Sequence, residues 1–199
     1  MMTAAGHRGI VCCTDRVAAA IEELQFTLGE GPCVDAFHRG PVLLDDLAGS
    51  GHLGRDPWPM FTAAAFASGA RALFAFPLQV GAVRIGAFDL YRDQPGPLDE
   101  TQLGIALTFA DELAVTILRD RSPGVSIPWP ADGSSSHAEV HQASGILSVQ
   151  LGMSVEDAFV WLRARAFASG RPVVDLAHEV VNSTDPNGIE RRGTDDETR

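Results

Sequence analysis

The spacing of apolar and polar positions changes several times along the chain, and each change predicts an element. Ile10 to Cys13 reads as a short strand, and Arg16 to Leu28 carries apolar residues at helical spacing. Three apolar runs, Pro41 to Leu44, Ala72 to Val80 and Val83 to Tyr91, are bounded by Gly, Pro or Asp and read as strands. Val80-Gly81-Ala82-Val83 fits a hairpin connection, so an antiparallel sheet follows. A helix from about Pro59 ends at Ser68-Gly69, before the chain re-enters the sheet. Between Thr101 and Arg121, Leu103, Ala106, Leu107, Ala110, Leu113, Ala114 and Ile117 line one face of a long helix, with Asp99 or Thr101 as its N-cap. The fold class is α+β.

Ser122 to Ser136 holds Pro123, Pro128, Pro130 and a Ser triplet, which stop a helix and predict a linker over 122–136. Three helices follow. Val140, Ala143, Leu147 and Leu151 line the first, closed by Gly152; Ser154 caps the second, in which Ala158, Phe159, Leu162 and Ala166 face the core up to Gly170. Pro172 suits the first position of the third, whose Val173, Leu176, Ala177, Val180 and Val181 bury one face. Residues 9–121 are thus one domain, 137–185 a second, and 186–199 a disordered tail.

Composition narrows the classes. The most apolar stretch, Ala63 to Leu90, is broken by Arg71, Gln79, Arg84 and Asp89, so it does not predict a membrane span, and the N-terminus lacks a secretion pattern. A cytoplasmic location is expected. Cys12, Cys13 and Cys33 make neither an even disulfide framework nor a CxxC pair, so reduced, mostly buried thiols are expected. Among the six histidines His137 and His141 stand at HxxxH spacing but no HExxH occurs, and Glu30, Asp45 and Asp46 read as caps or turn acids; no metal or cofactor is predicted. The net charge of −11 argues against a strong nonspecific nucleic-acid binder, because phosphate binding draws on a basic face.

The residues His141-Gln-Ala-Ser-Gly-Ile-Leu, Gln150-Leu-Gly-Met-Ser, Asp157-Ala-Phe, Leu162-Arg163, Ala166, Arg171-Pro172 and Ala177 to Val181 together resemble the ANTAR family over about 45 residues. The small residues among them are also what close helix packing demands. The resemblance implies a three-helix module that binds paired RNA hairpin loops and lets polymerase pass a terminator, by binding and not by catalysis. RNA loops are read by bases stacking on aromatic or guanidinium planes. Arg163, Arg165, Arg171 and Trp161 supply those groups, and Gln142, Ser144 and Gln150 add hydrogen-bonding capacity. Trp161 is equally suited to contact the sensor domain. Many family members carry Lys where this chain has Ser144, and residues 137 to 185 hold three Arg against six acids. A protein-interaction or ligand-sensing regulator that has lost RNA binding is therefore the alternative.

Upstream, Leu24-Gln-Phe-Thr-Leu-Gly-Glu-Gly-Pro-Cys33-Val-Asp-Ala, Val42-Leu-Leu-Asp-Asp-Leu47, Trp58-Pro59, Phe76-Pro77-Leu78 and Gly86-Ala-Phe-Asp-Leu-Tyr91 look like the GAF domains that precede ANTAR modules. The resemblance implies an antiparallel sheet flanked by helices, with a pocket for a small molecule. A complete GAF domain has a further helix and strand before Ile10, so the resemblance also implies either a misplaced start or a truncated sheet whose edge invites pairing with another chain. Cys33 is a candidate ligand-contacting or redox residue, and also a plain buried thiol. The long helix at Thr101 is a possible seam of a homodimer. Gly29-Glu-Gly-Pro-Cys33 and Leu44-Asp-Asp-Leu47 are also similar to the GAF-fold free methionine sulfoxide reductases, which place the attacking cysteine after the aspartates. No cysteine follows Cys33, so that nucleophile is missing and no enzyme is predicted.

Overall fold

The computed structural model describes residues 12–50, 56–120 and 134–183. The chain divides into two units, Met1–Ser134 and Ser135–Arg199. In the first, α1 (Arg16–Leu28) begins where Asp15 Oδ1 accepts from the backbone N–H of Val17 and Ala18, both at 2.9 Å, and ends at Gly29, φ 68°. A second helix, α2 (Pro32–Arg39), follows, then β1 (Val42–Leu44), the single turn α3 (Leu47–Ser50) and α4 (Pro59–Ala67). The hairpin β2 (Ala72–Val80) and β3 (Val83–Arg92) turns at Gly81, φ 58°. The long helix α5 (Glu100–Asp120) completes the unit.

The sheet is antiparallel in the order β1-β2-β3, with Val42 opposite Ala75 and Phe76 opposite Phe88. β2 is central and covered on both faces, which explains why its apolar run does not alternate. Ala72, Phe74, Phe76 and Leu78 pack with Ala106, Ala110, Ala114 and Ile117 of α5. Leu73, of opposite parity, packs with Ile21, Trp58 and Phe61, and Ala75 with Cys33, Ala36 and Ala87. Alanines on α5 bring its axis close to the sheet. Asp99 and Gln102 cap it reciprocally: Asp99 Oδ1 accepts from Gln102 N at 2.8 Å, and Gln102 Oε1 from Asp99 N at 3.1 Å.

Several expectations change here. The Gly-Glu-Gly-Pro-Cys segment leads into a helix that the spacing did not predict: Pro32 opens α2, with Asp35 in the first turn and His38 and Arg39 in the last, where they complement the helix dipole. Cys12 and Cys13 lie outside any strand, and Cys12 is exposed and Cys13 half-buried, so only Cys33 meets the expectation of a buried thiol. Ile10 and Val11 lie outside the described residues. Leu107, assigned to the buried stripe of α5, is 42% exposed, because it sits at the flank of an arc centred on Ala110 and Ala114. Glu100–Arg119 is long and apolar enough by length and composition to cross a membrane. Its alanine face covers β2.

In the second unit, α6 (Ser134–Leu151), α7 (Val155–Ser169) and α8 (Val173–Asn182) bury Val140, Ala143, Leu147, Ala158, Leu162, Ala166, Val173, Leu176, Ala177 and Val180. Because α6 starts at Ser134, the Ser triplet belongs to the helix and not to the linker, of which residues 121–133 lie outside the described ones, as does the segment 186–199. Pro172 stands at the N-cap, one position before the first helical residue. Phe159 and Val181 are half-buried. Ser154 caps α7 with its Oγ accepting from Asp157 N at 3.0 Å. Ser154→Ala should therefore cost about 1 kcal/mol, read as a lowered urea midpoint of this unit.

Candidate functional site

The three-helix unit carries its cations beside aromatic rings. The Arg163 guanidinium lies 5.4 Å from the Phe159 ring centre, and that ring meets His141 of α6 at 5.9 Å between centroids. The Arg165 guanidinium lies 5.7 Å from the Trp161 ring. Each pair is half-buried, so a flat cationic and aromatic surface is held in place on either side of the buried Ala158-Leu162-Ala166 stripe. At about 100° per residue, Arg163 and Arg165 point roughly 160° apart around α7 by the shorter arc, so the helix does not join them in one patch.

The remaining candidates separate further. Gln142 and Gln150 are exposed on α6. Arg171 is exposed and bonded to Glu179 at 2.7 Å, a contact that raises its pKa and offsets its charge. Ser144 is a correction: it is wholly buried, and its hydroxyl donates to the Val140 carbonyl at 2.8 Å. That hydroxyl is turned to its own helix and offers nothing to an RNA. Sequence reasoning passed over Val149, Val160 and Phe167, which stand 84%, 59% and 50% exposed.

The sheet-bearing unit holds a cavity of about 720 Å³ beside β3. Leu78, Phe88 and Phe109 contribute apolar wall, while Asp15, Glu22 and Asp89 contribute charge. Bonded to Asp89 of that wall, Gln25, 3% exposed, spans two elements: its Nε2 donates to Asp89 Oδ2 at 2.5 Å, and its Oε1 accepts from Cys33 N at 2.7 Å. Asp89 keeps some exposure as a residue, yet its Oδ1 is sealed from solvent and has no hydrogen-bond partner. Burial, and then the Glu22 charge, push the Asp89 carboxyl up to about 7 against the opposing pull of Cys33 and Gln25. Burial and then Asp89 push the Cys33 thiol well above its usual range, the reverse of what a redox-sensing thiolate requires.

This arrangement gives Gly31 a specific role. Its φ is +132°, and an added Cβ would stand 2.7 Å from Gln25 Oε1 and 2.8 Å from its Cγ. Gly31→Ala should destabilise the protein by about 2 kcal/mol, from left-handed strain and a displaced Gln25, measured by urea denaturation. No spacing rule could have found the trio, since Gln25 and Asp89 stand 64 positions apart.

Comparisons with known proteins give two family matches. A family model described as a GAF domain matches residues 5–118, and one described as an ANTAR domain matches residues 134–181. No curated protein matches. Among solved structures, a domain described as from a two-component sensor histidine kinase protein of Sinorhizobium meliloti 1021 is 27% identical, with a TM-score of 0.34. The match covers 41% of this chain and 54% of that one, so the chain spans about half of that neighbour.

Proposed function

Because the chain belongs to the GAF domain family and carries an ANTAR domain over residues 134–181, we propose that it is a cytoplasmic RNA-binding transcription regulator of the antiterminator type, with the sheet-bearing unit as its sensor. ANTAR domains bind RNA, and GAF domains bind small ligands. The observation that carries the reading is the pair of cation–aromatic contacts on α7, Arg163 on Phe159 and Arg165 on Trp161. A ring held against a guanidinium offers a stacking plane to an unpaired base and a charge to its phosphate. The two pairs lie on different sides of α7, so each is assigned to a separate loop or strand of a folded hairpin RNA.

Both GAF and ANTAR are regulatory families, and no catalytic residue is assigned. We place the small-ligand site in the cavity beside β3. Ile105 and Phe109, 64% and 53% exposed at four-residue spacing on α5, are the proposed seam of a homodimer. A second reading, a regulator that binds protein and not RNA, draws on the acid excess and on exposed Val160 and Phe167, which share a face of α7. The test is fluorescence anisotropy with a labelled tandem-hairpin RNA. Arg163→Ala with Arg165→Ala should weaken binding at least about tenfold, each base stack being worth roughly 1–3 kcal/mol. Arg171→Ala should weaken it less, since Glu179 already occupies that cation. A double variant that binds as tightly as the parent removes the RNA reading of this surface.

A further inference from the structure

We propose that Cys33, Asp89 and Glu22 form a binding site for a thiophilic divalent cation of the zinc class, where Glu22 and Asp89 wall the cavity beside β3. One ligand atom from each, Cys33 Sγ and a carboxylate oxygen from Asp89 and from Glu22, lies within 4.8 Å of the other two. Zinc bonds of about 2.0–2.3 Å in a tetrahedral arrangement set neighbouring ligand atoms roughly 3.5 Å apart, so three atoms within 4.8 Å of one another stand at or near ligating distance.

The second, independent observation is the state of Asp89. Its carboxyl is engaged by Gln25 through Oδ2 and interacts with the Cys33 thiol, while its Oδ1, sealed from solvent, meets no donor in hydrogen-bond geometry. A buried carboxylate oxygen without a donor is costly unless something else supplies positive charge. Gln25 orients both sides of the set, holding Asp89 through its amide nitrogen and the Cys33 backbone through its amide oxygen. This is what an outer-shell residue does around a metal. Gly31 leaves the room for it.

The donor set decides the ion. A thiolate with two carboxylates suits zinc and similar divalent metals, whereas magnesium and calcium take oxygen ligands alone. Binding releases the Cys33 proton to solvent as the metal–sulfur bond forms. Glu22 and Asp89 line the cavity. Three protein ligands leave a fourth position for water or a ligand entering from it, the pattern of an open metal site. The inference deepens the reading of the cavity as a ligand site and rests on it for its sensory meaning.

Cobalt is the probe. The full-length protein, stripped with chelator and kept reduced, is titrated with Co²⁺ and followed by absorbance. The expected result is a sulfur-to-cobalt charge-transfer band saturating at one equivalent, retained in the Cys12→Ser, Cys13→Ser double variant, where Cys33 is the sole thiol. Asp89→Asn should weaken binding by about 10- to 100-fold, and Cys33→Ser should abolish the band while circular dichroism shows an intact fold. No band, or a band lost with Cys12 and Cys13, overturns the proposal. Failure would leave the RNA reading, which concerns residues 134–183, untouched.

Discussion

Leu162→Ala is expected to unfold the three-helix unit and abolish RNA binding with it. Leu162 is wholly buried at the centre of the Ala158-Leu162-Ala166 stripe, facing a core whose other members are mostly Val and Ala. Removing a buried leucine leaves a cavity and costs about 2–5 kcal/mol. A unit of about 50 residues has roughly 2.5–7 kcal/mol in total to lose. Alanines on both sides of the hole cannot move in to fill it. Amide NMR signals of residues 138–183 should collapse to narrow dispersion, while those of 56–120 keep theirs. Full dispersion in both would show that the stripe does not hold the unit together.

The second large effect is a pH dependence set by Asp89. Its carboxyl titrates at about 7 in the folded chain and near the ordinary 3.8 when unfolded. Between those values the unfolded chain has released the proton and the folded chain has not. The contribution of Asp89 is therefore whole below about pH 4, falls as pH rises, and is flat above about 7. Three units correspond to a ceiling of about 4 kcal/mol. Asp89→Asn keeps an oxygen for Gln25 and removes the charge. With chelator present, the variant should gain urea stability over the parent as pH goes from 5 to 8, with the difference levelling off. A constant difference across that range would place the Asp89 charge in contact with solvent.

Much of the fold was legible because its signals are local. Asp99, Ser154, Gly152 and Gly170 punctuate helices with side chains or a backbone conformation that the neighbouring residues require. The apolar run of β2 read as a strand, while its coverage on both faces came only with the structure. The helix α2 stayed hidden because its eight residues are too short for a period to show and follow two glycines that read as a turn. Ser144 looked polar and hence external, although a serine that bonds its own helix four residues back fits a core as small as this one. The spacing of Arg163 and Arg165 already placed them on different sides of a helix, because two positions turn it by about 200°. The Gln25, Cys33 and Asp89 cluster required knowing that β3 returns beside α1 and α2, which is tertiary information.

The most direct test of the account is the salt dependence of binding to a tandem-hairpin RNA. Guanidinium contacts to phosphate release counterions, so the logarithm of affinity should fall linearly with the logarithm of salt, with a slope of about 1.4 to 2.7 in magnitude for two or three such contacts. Saturable binding with that slope is the predicted result. Binding that salt does not change, or no binding at tens of micromolar protein, would contradict it and leave the exposed apolar face of α7 as a surface for protein.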